Sequence, residues 1–154
     1  MNYLFVYDSR RGKSTTGKIC EWISEGLIEA CKDVNILGIK RAVDVTSEDV
    51  ASADIIVIGS PIYMEKPMKS ILSFLEKNME NLKLKNIALF IVCIRLSKGG
   101  KYLEKLRSHV KGSIILDKVF GGKFLFINRV NKSEAVNFGV KLCKRVVEEK
   151  SFIS

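Results

Sequence analysis

The N-terminal stretch constrains this chain more than any other. Tyr3-Leu4-Phe5-Val6-Tyr7 is an apolar run of strand-forming residues, and Asp8-Ser9-Arg10-Arg11-Gly12-Lys13-Ser14-Thr15-Thr16 follows it directly. Ser14 or Thr15 suits a helix N-cap, and Cys20, Ile23, Leu27 and Cys31 recur at helical spacing, so a helix is expected to about Cys31. A strand running through a short polar turn into a helix points free backbone N–H groups and a positive helix end at the carboxyl edge of the strand. The turn therefore reads as a phosphate cradle. Hydroxyls and N–H groups donate to the anion, and Gly12 lets the backbone come close.

The rest of the chain alternates strand and helix. Val34–Ile39 is a short strand. Lys40–Ala53 has a weak pattern, in which Thr46-Ser47-Glu48-Asp49 caps at most a brief helix. Asp54-Ile55-Ile56-Val57-Ile58-Gly59 is a continuous β-branched run, as in a parallel strand buried on both faces. Ser60–Lys66 is expected as a loop, with Pro67 at the start of a helix whose apolar face is Met68, Ile71, Leu72, Leu75 and Met79. Asn86–Ile94 is the fourth strand, and Lys101–Val110 a helix. Ile114–Phe120 and Lys123–Asn128 both read as strand, and either serves as the fifth. Lys132–Lys150 closes the chain as a helix with Val136, Val140, Cys143 and Val147 inward. The alternation implies one α/β domain over residues 1–154, its parallel sheet covered on both faces.

Composition narrows the function. With 154 residues and 47% hydrophobic content the chain fills a core, and its apolar runs are strand-sized. Met1-Asn2 leads straight into the first strand without a signal pattern, so a cytoplasmic protein is expected. Cys20, Cys31, Cys93 and Cys143 form no CxxC pair and sit in apolar runs, the pattern of reduced, buried thiols. The lone His109 leaves no room for a histidine metal cluster. The net charge of +9, from 26 Lys+Arg against 17 Asp+Glu, favours acidic partners: a phosphorylated ligand, peripheral contact with an anionic membrane, or nucleic acid. The cations are dispersed and not interleaved with aromatics, which argues against nucleic acid.

Gly12-Lys13-Ser14 looks like the end of a nucleotide-binding P-loop. That motif requires a glycine at position 7, where this chain has Tyr, and a magnesium-binding acid after an apolar strand. The third strand ends in Gly59-Ser60 and the fourth in Ile94-Arg95. The same Gly59-Ser60 excludes a phospho-acceptor receiver, which needs an aspartate there.

Ser9-Arg10-Arg11-Gly12-Lys13-Ser14 resembles instead the flavodoxin phosphate loop [ST]-x-[ST]-G-x-[ST], with Arg11 in place of the middle hydroxyl. Asp54–Tyr63 resembles the third strand and following loop of flavodoxin-domain proteins. Phe120-Gly121-Gly122-Lys123 is similar to a segment of the branch that includes the menaquinone-dependent protoporphyrinogen dehydrogenases. The resemblance implies a three-layer α/β/α flavodoxin-like fold with five parallel strands in the order 2-1-3-4-5. It also implies non-covalent FMN and redox chemistry with a partner protein or a quinone-like small molecule. Ser9, Arg10, Arg11, Gly12, Lys13 and Ser14, with Thr15 added, would hold the phosphate. Ser60, Pro61, Ile62 and Tyr63 would line one side of the flavin ring, Tyr63 by stacking, and Cys93, Ile94, Arg95 and Leu96 the other. Electron-carrier flavodoxins are typically acidic, whereas here the phosphate loop carries three cations, and Lys66, Arg95 or Lys98 is a candidate for a place near the ring. Cations there favour the anionic reduced flavin. No side chain reads as an obligatory acid, base or nucleophile.

Overall fold

The computed structural model describes residues 1–10 and 14–153, with side chains described to Lys150. Five parallel strands form the sheet: β1 (Asn2–Tyr7), β2 (Asn35–Arg41), β3 (Ile55–Tyr63), β5 (Asn86–Cys93) and β6 (Ser113–Gly121). Their order across the sheet is β2-β1-β3-β5-β6. This is the expected 2-1-3-4-5 order once a two-residue strand, β4 (Lys66–Pro67), is set aside as a hairpin partner of β3. Ile114–Phe120 is thus the fifth core strand. Lys123–Asn128 forms a separate hairpin, β7 (Lys123–Phe124) against β8 (Ile127–Asn128).

Alternation along the strands builds two cores. Tyr3, Phe5, Ile55, Val57 and Phe90 face α1 (Thr15–Ala30) and α6 (Lys132–Ile153). Leu4, Val6, Ile56, Ile58, Leu89 and Ile91 face α2 (Ser47–Ser52), α3 (Lys69–Lys77), α4 (Met79–Leu82) and α5 (Gly99–Arg107). Nearly every one of these side chains is fully buried, each worth about 1.5–3 kcal/mol of transfer free energy. On the α1/α6 side, Phe90, Phe120 and Phe138 meet edge to face at 5.5 and 5.8 Å.

The α1–α6 seam is the tightest in the molecule. A Cβ on Gly26 would run into the Val136 carbonyl, and one on Gly139 into the Ile23 carbonyl, so the two backbones touch only because both positions are glycine. Turning Gly139 toward α1 rotates α6 from its expected orientation. Ala135, Phe138, Leu142, Cys143 and Val146 face inward, while Val147 is exposed and Val136 and Val140 are half-buried. The same seam carries a correction. Cys31 and Cys143 are joined in a disulfide with Cα atoms 5.8 Å apart. Both lie on helical stripes in the sequence, but 112 residues separate them, and only the pairing of the two helices makes them neighbours. Cys20 and Cys93 are free and buried.

Two local expectations also change. Residues 60–63 are not loop: β3 continues through Tyr63, with Ser60 and Pro61 in register with Ile91 and Val92 of β5. Pairing to β1 stops at Gly59, so Ser60 and Pro61 are paired only to β5, where a proline without an N–H is tolerated. Pro67 belongs to the returning strand, and α3 starts after Met68. The Lys40–Ala53 connection holds a short 3-10 turn and α2, whose capping box joins Thr46 and Asp49 at 2.9 and 3.1 Å.

Candidate functional site

β1 delivers the chain to the carboxyl edge of the sheet, and the first two residues beyond it are buried: Asp8 is 2% exposed and Ser9 5%. The Asp8 carboxylate accepts from the Ser9 N–H at 2.7 Å and from Arg41 Nε and Nη2 at 3.0 and 2.8 Å. Arg41 Nη2 also donates to the Ser9 carbonyl at 2.9 Å. Burial works to raise the Asp8 pKa. The Ser70 hydroxyl beside it, Arg41 and the Ser9 amide outweigh that and hold it below the usual carboxylate range. The last residue of β2 therefore clamps the entrance to the turn after β1.

At the far side of that turn α1 opens as expected. Ser14 is the N-cap, and its Oγ accepts from the Gly17 N–H at 2.8 Å. Thr15 and Thr16 are the first two residues of the helix, and N–H groups at that end stand outside the ladder of bonds within the helix. The positive end of a 16-residue helix thus lies at Ser14, Thr15 and Thr16. Arg11, Gly12 and Lys13, expected to hold phosphate, lie outside the described residues.

β3 supplies the second wall. Ser60 is fully buried, and its Oγ accepts from the Met68 N–H and donates to the Pro61 carbonyl, both at 2.9 Å. It ties β3 to the start of α3 and does not line the cleft. Beyond it Tyr63 is half-buried, with the Arg10 guanidinium 4.2 Å from its ring centroid. The chain reverses at Met64 and Glu65, both at positive φ (51° and 62°), the pairing of a two-residue hairpin turn. Glu65 is held by Lys98 at 3.2 Å and Tyr102 Oη at 3.3 Å, and Lys105 donates to its carbonyl at 3.0 Å. The bond from Lys98 is the chief reason its pKa falls.

β5 supplies the third wall. Cys93 is buried, and that burial raises its thiol pKa, which disfavours the nucleophilic thiolate. Gly122 N–H donates to the Cys93 carbonyl at 3.0 Å, and Arg129 Nη1 to the Ile94 carbonyl at 2.6 Å. These bonds fix the β7–β8 hairpin against the end of β5.

The three walls enclose a cleft of about 660 Å³. Of the expected residues, Ser9, Arg10, Ser14, Thr15, Pro61, Ile62, Tyr63, Cys93 and Ile94 line it. Arg95 and Leu96 do not. Both are exposed, and Arg95 and Lys98 lie 3.8 and 3.2 Å from the Glu65 carboxylate, which partly neutralises them. The lining residues that sequence reasoning missed are Thr16, Met64, Val92, Gly122, Lys123 and Phe124. Thr16 adjoins the recognised loop, and Gly122-Lys123 adjoins the recognised glycine pair, so both were within reach of the pattern. Met64 and Phe124 arrive only through hairpins. A second hollow of about 700 Å³, lined by Tyr7, Trp22 and Ile39, shares Ser14, Thr15 and Lys123 with this cleft. No strand of the β3–β5 pair reaches it. Among the described residues, no cluster of His, Cys, Asp or Glu could hold a metal, and no helix is long and apolar enough to cross a membrane.

Solved structures share this architecture. A flavodoxin from the domain Archaea superposes with a TM-score of 0.69 at 20% identity, covering 95% of this chain and 99% of that one. The two-electron reduced flavodoxin of Megasphaera elsdenii gives 0.66 at 22% identity, covering 92% and 98%. The rubredoxin:oxygen oxidoreductase of Desulfovibrio gigas gives 0.68 at 11% identity, covering 96% of this chain and 35% of that one. No curated protein matches the chain. Residues 4–131 match the flavodoxin domain, a span that takes in β1 from Leu4, the other four strands of the sheet and all three walls of the cleft, and the chain belongs to that family.

Proposed function

We propose that this chain binds FMN in the β1/β3/β5 cleft and works as a flavodoxin-like electron-transfer protein. The observation that carries this reading is the convergence of three strand ends and the N-terminus of α1 on one cleft with a polar end and an apolar, aromatic end. The residues fit the group. Ser9, Ser14, Thr15 and Thr16 are hydroxyl donors around a helix N-terminus, suited to a dianionic phosphate. Ile62, Tyr63, Val92 and Ile94 offer flat and apolar surface to a conjugated ring.

Bound there, FMN would supply the electron chemistry. The protein's part is to hold and tune it. Asp8 and Arg41 fix the phosphate end by anchoring Ser9. Pro61 is locked in register with Val92, which denies the β3 wall the freedom to turn over a peptide. Among the described residues, Arg10 and Lys123 are the cations that line the cleft, in place of the candidates Lys66, Arg95 and Lys98. Positive charge there favours an anionic reduced ring and raises its potential. This supports an oxidoreductase that exchanges electrons with a partner protein or a quinone-like small molecule, in contrast to a low-potential shuttle. Assignment to the protoporphyrinogen dehydrogenase branch rests on the Phe120–Lys123 segment alone.

One observation favours a second reading. Arg10 covers a face of Tyr63, the side chain expected to stack on the ring. A flavodoxin-fold module that binds another anion and not FMN would keep that arrangement. The purified protein decides between them: the first reading expects a yellow protein, or a colourless one whose thermal midpoint rises with added FMN. A colourless protein with an unmoved midpoint rejects it.

A further inference from the structure

The β7–β8 hairpin puts Phe124, Leu125, Phe126 and Ile127 into solvent in succession, at 60, 77, 103 and 42% exposure. Four consecutive exposed apolar residues are an error in a soluble surface unless they have a use. Leu125 also has φ 51°, a backbone position that glycine or asparagine fills without strain. At the other hairpin tip, Met64 is 85% exposed and likewise sits at φ 51°. Phe124 and Met64 both line the cleft, so the two apolar tips stand at its mouth.

The surroundings are cationic. Lys123 and Arg129, both exposed, stand at the base of the hairpin, and residues 122–130 carry no acid. Beside Met64, exposed Lys66, Arg95 and Lys98 stand against the single carboxylate of Glu65.

From this apolar tip with Lys123 and Arg129 at its base, we infer that the β7–β8 hairpin docks the protein on the surface of an anionic lipid bilayer. Apolar side chains would enter the headgroup–acyl boundary while the cations meet lipid phosphates. Shape favours lipid over a protein partner. Phe124 and Ile127 are cross-strand partners, and Leu125 and Phe126 form the turn beyond them, so the apolar surface is a convex point, not a face or groove. Phe126 touches almost nothing of its own chain. A fluid phase can surround such a point on every side, whereas a folded partner would need a socket shaped to it. The absence of a spanning helix among the described residues fits a peripheral contact. This inference does not depend on FMN occupying the cleft.

The test is co-sedimentation of the full chain with phosphatidylcholine vesicles, with and without about 30 mol% phosphatidylglycerol. Binding to the anionic vesicles, weakened by about 0.5 M salt, is expected. Leu125→Ser/Phe126→Ser, which changes side chains outside the cleft and both cores, should keep its circular dichroism and FMN response and lose vesicle binding by roughly tenfold or more. In a Phe126→Trp variant with Trp22 changed to Phe, emission should shift to the blue on vesicles. No binding to anionic vesicles, binding unaffected by the double serine change, or a dimer that the double change abolishes would each overturn the inference, the last by showing that a second copy covers the hairpin.

Discussion

The two ends of α1 are built to opposite purposes. Its C-terminal end is closed. Gly26 lets α6 approach to backbone contact, and Cys31, the C-cap, is bonded to Cys143. Nearby, Asp33 takes the N-terminal ammonium at 3.0 Å and Lys150 at 3.5 Å. Its N-terminal end is open. There Ser14, Thr15 and Thr16 line a cleft, and the anchoring is done one turn away by Asp8 and Arg41. The contrast explains how a cleft can stay polar and uncollapsed. Rigidity comes from the far end of the helix and from the strand before the turn, so the residues that would hold an anion need not pack on one another.

The largest expected effect is at the closed end. Reducing the Cys31–Cys143 bond, or replacing Cys143 with Ala, should cost about 4 kcal/mol, since a 112-residue separation constrains the unfolded chain strongly. Urea unfolding with and without reductant measures it, and an unchanged midpoint would show that packing alone closes this end. Next, Gly139→Ala should cost about 3 kcal/mol, because the added methyl meets the Ile23 carbonyl and not a yielding side chain. A loss below about 1 kcal/mol would mean the helices separate cheaply.

At the open end the losses are smaller and fall partly on binding. Asp8→Asn should cost about 2 kcal/mol at neutral pH by breaking a buried, charge-assisted set of bonds. The folded-state pKa of Asp8 is depressed, so its contribution is complete above the unfolded value of about 3.9 and lost as pH falls through the lower folded value. The stability gap between wild type and the variant should therefore shrink on acidification below about pH 4. A gap constant with pH would contradict the ion pair. Smallest is Ser14→Ala, about 1 kcal/mol for a lost N-cap. Its effect on FMN affinity should exceed that of Gly139→Ala, and the reverse order would erase the distinction between the two ends.

Much of this was legible in the sequence, for reasons of period. Buried parallel strands such as Ile55–Ile58 announce themselves by composition, and the order of elements then leaves few topologies. The open end was legible too, because Ser9–Thr16 is a local pattern. The closed end was not. The Cys31–Cys143 bond and the facing of Gly139 exist only once two helices distant in sequence are side by side. Asp8 carries no local signal of its role. Its partner Arg41 lies at the end of the neighbouring strand, a relation that pairing creates. Ser60–Tyr63 misled because a serine and a proline after a glycine read as a turn, whereas a one-sided strand end accommodates both.

The central claim is that the open end of α1 holds a phosphate. Titrating the protein with FMN and with riboflavin, which has the same ring and no phosphate, isolates that end. FMN should bind saturably and raise the thermal midpoint, with riboflavin weaker by roughly tenfold or more. Equal affinity for the two, or no binding of either, would contradict it.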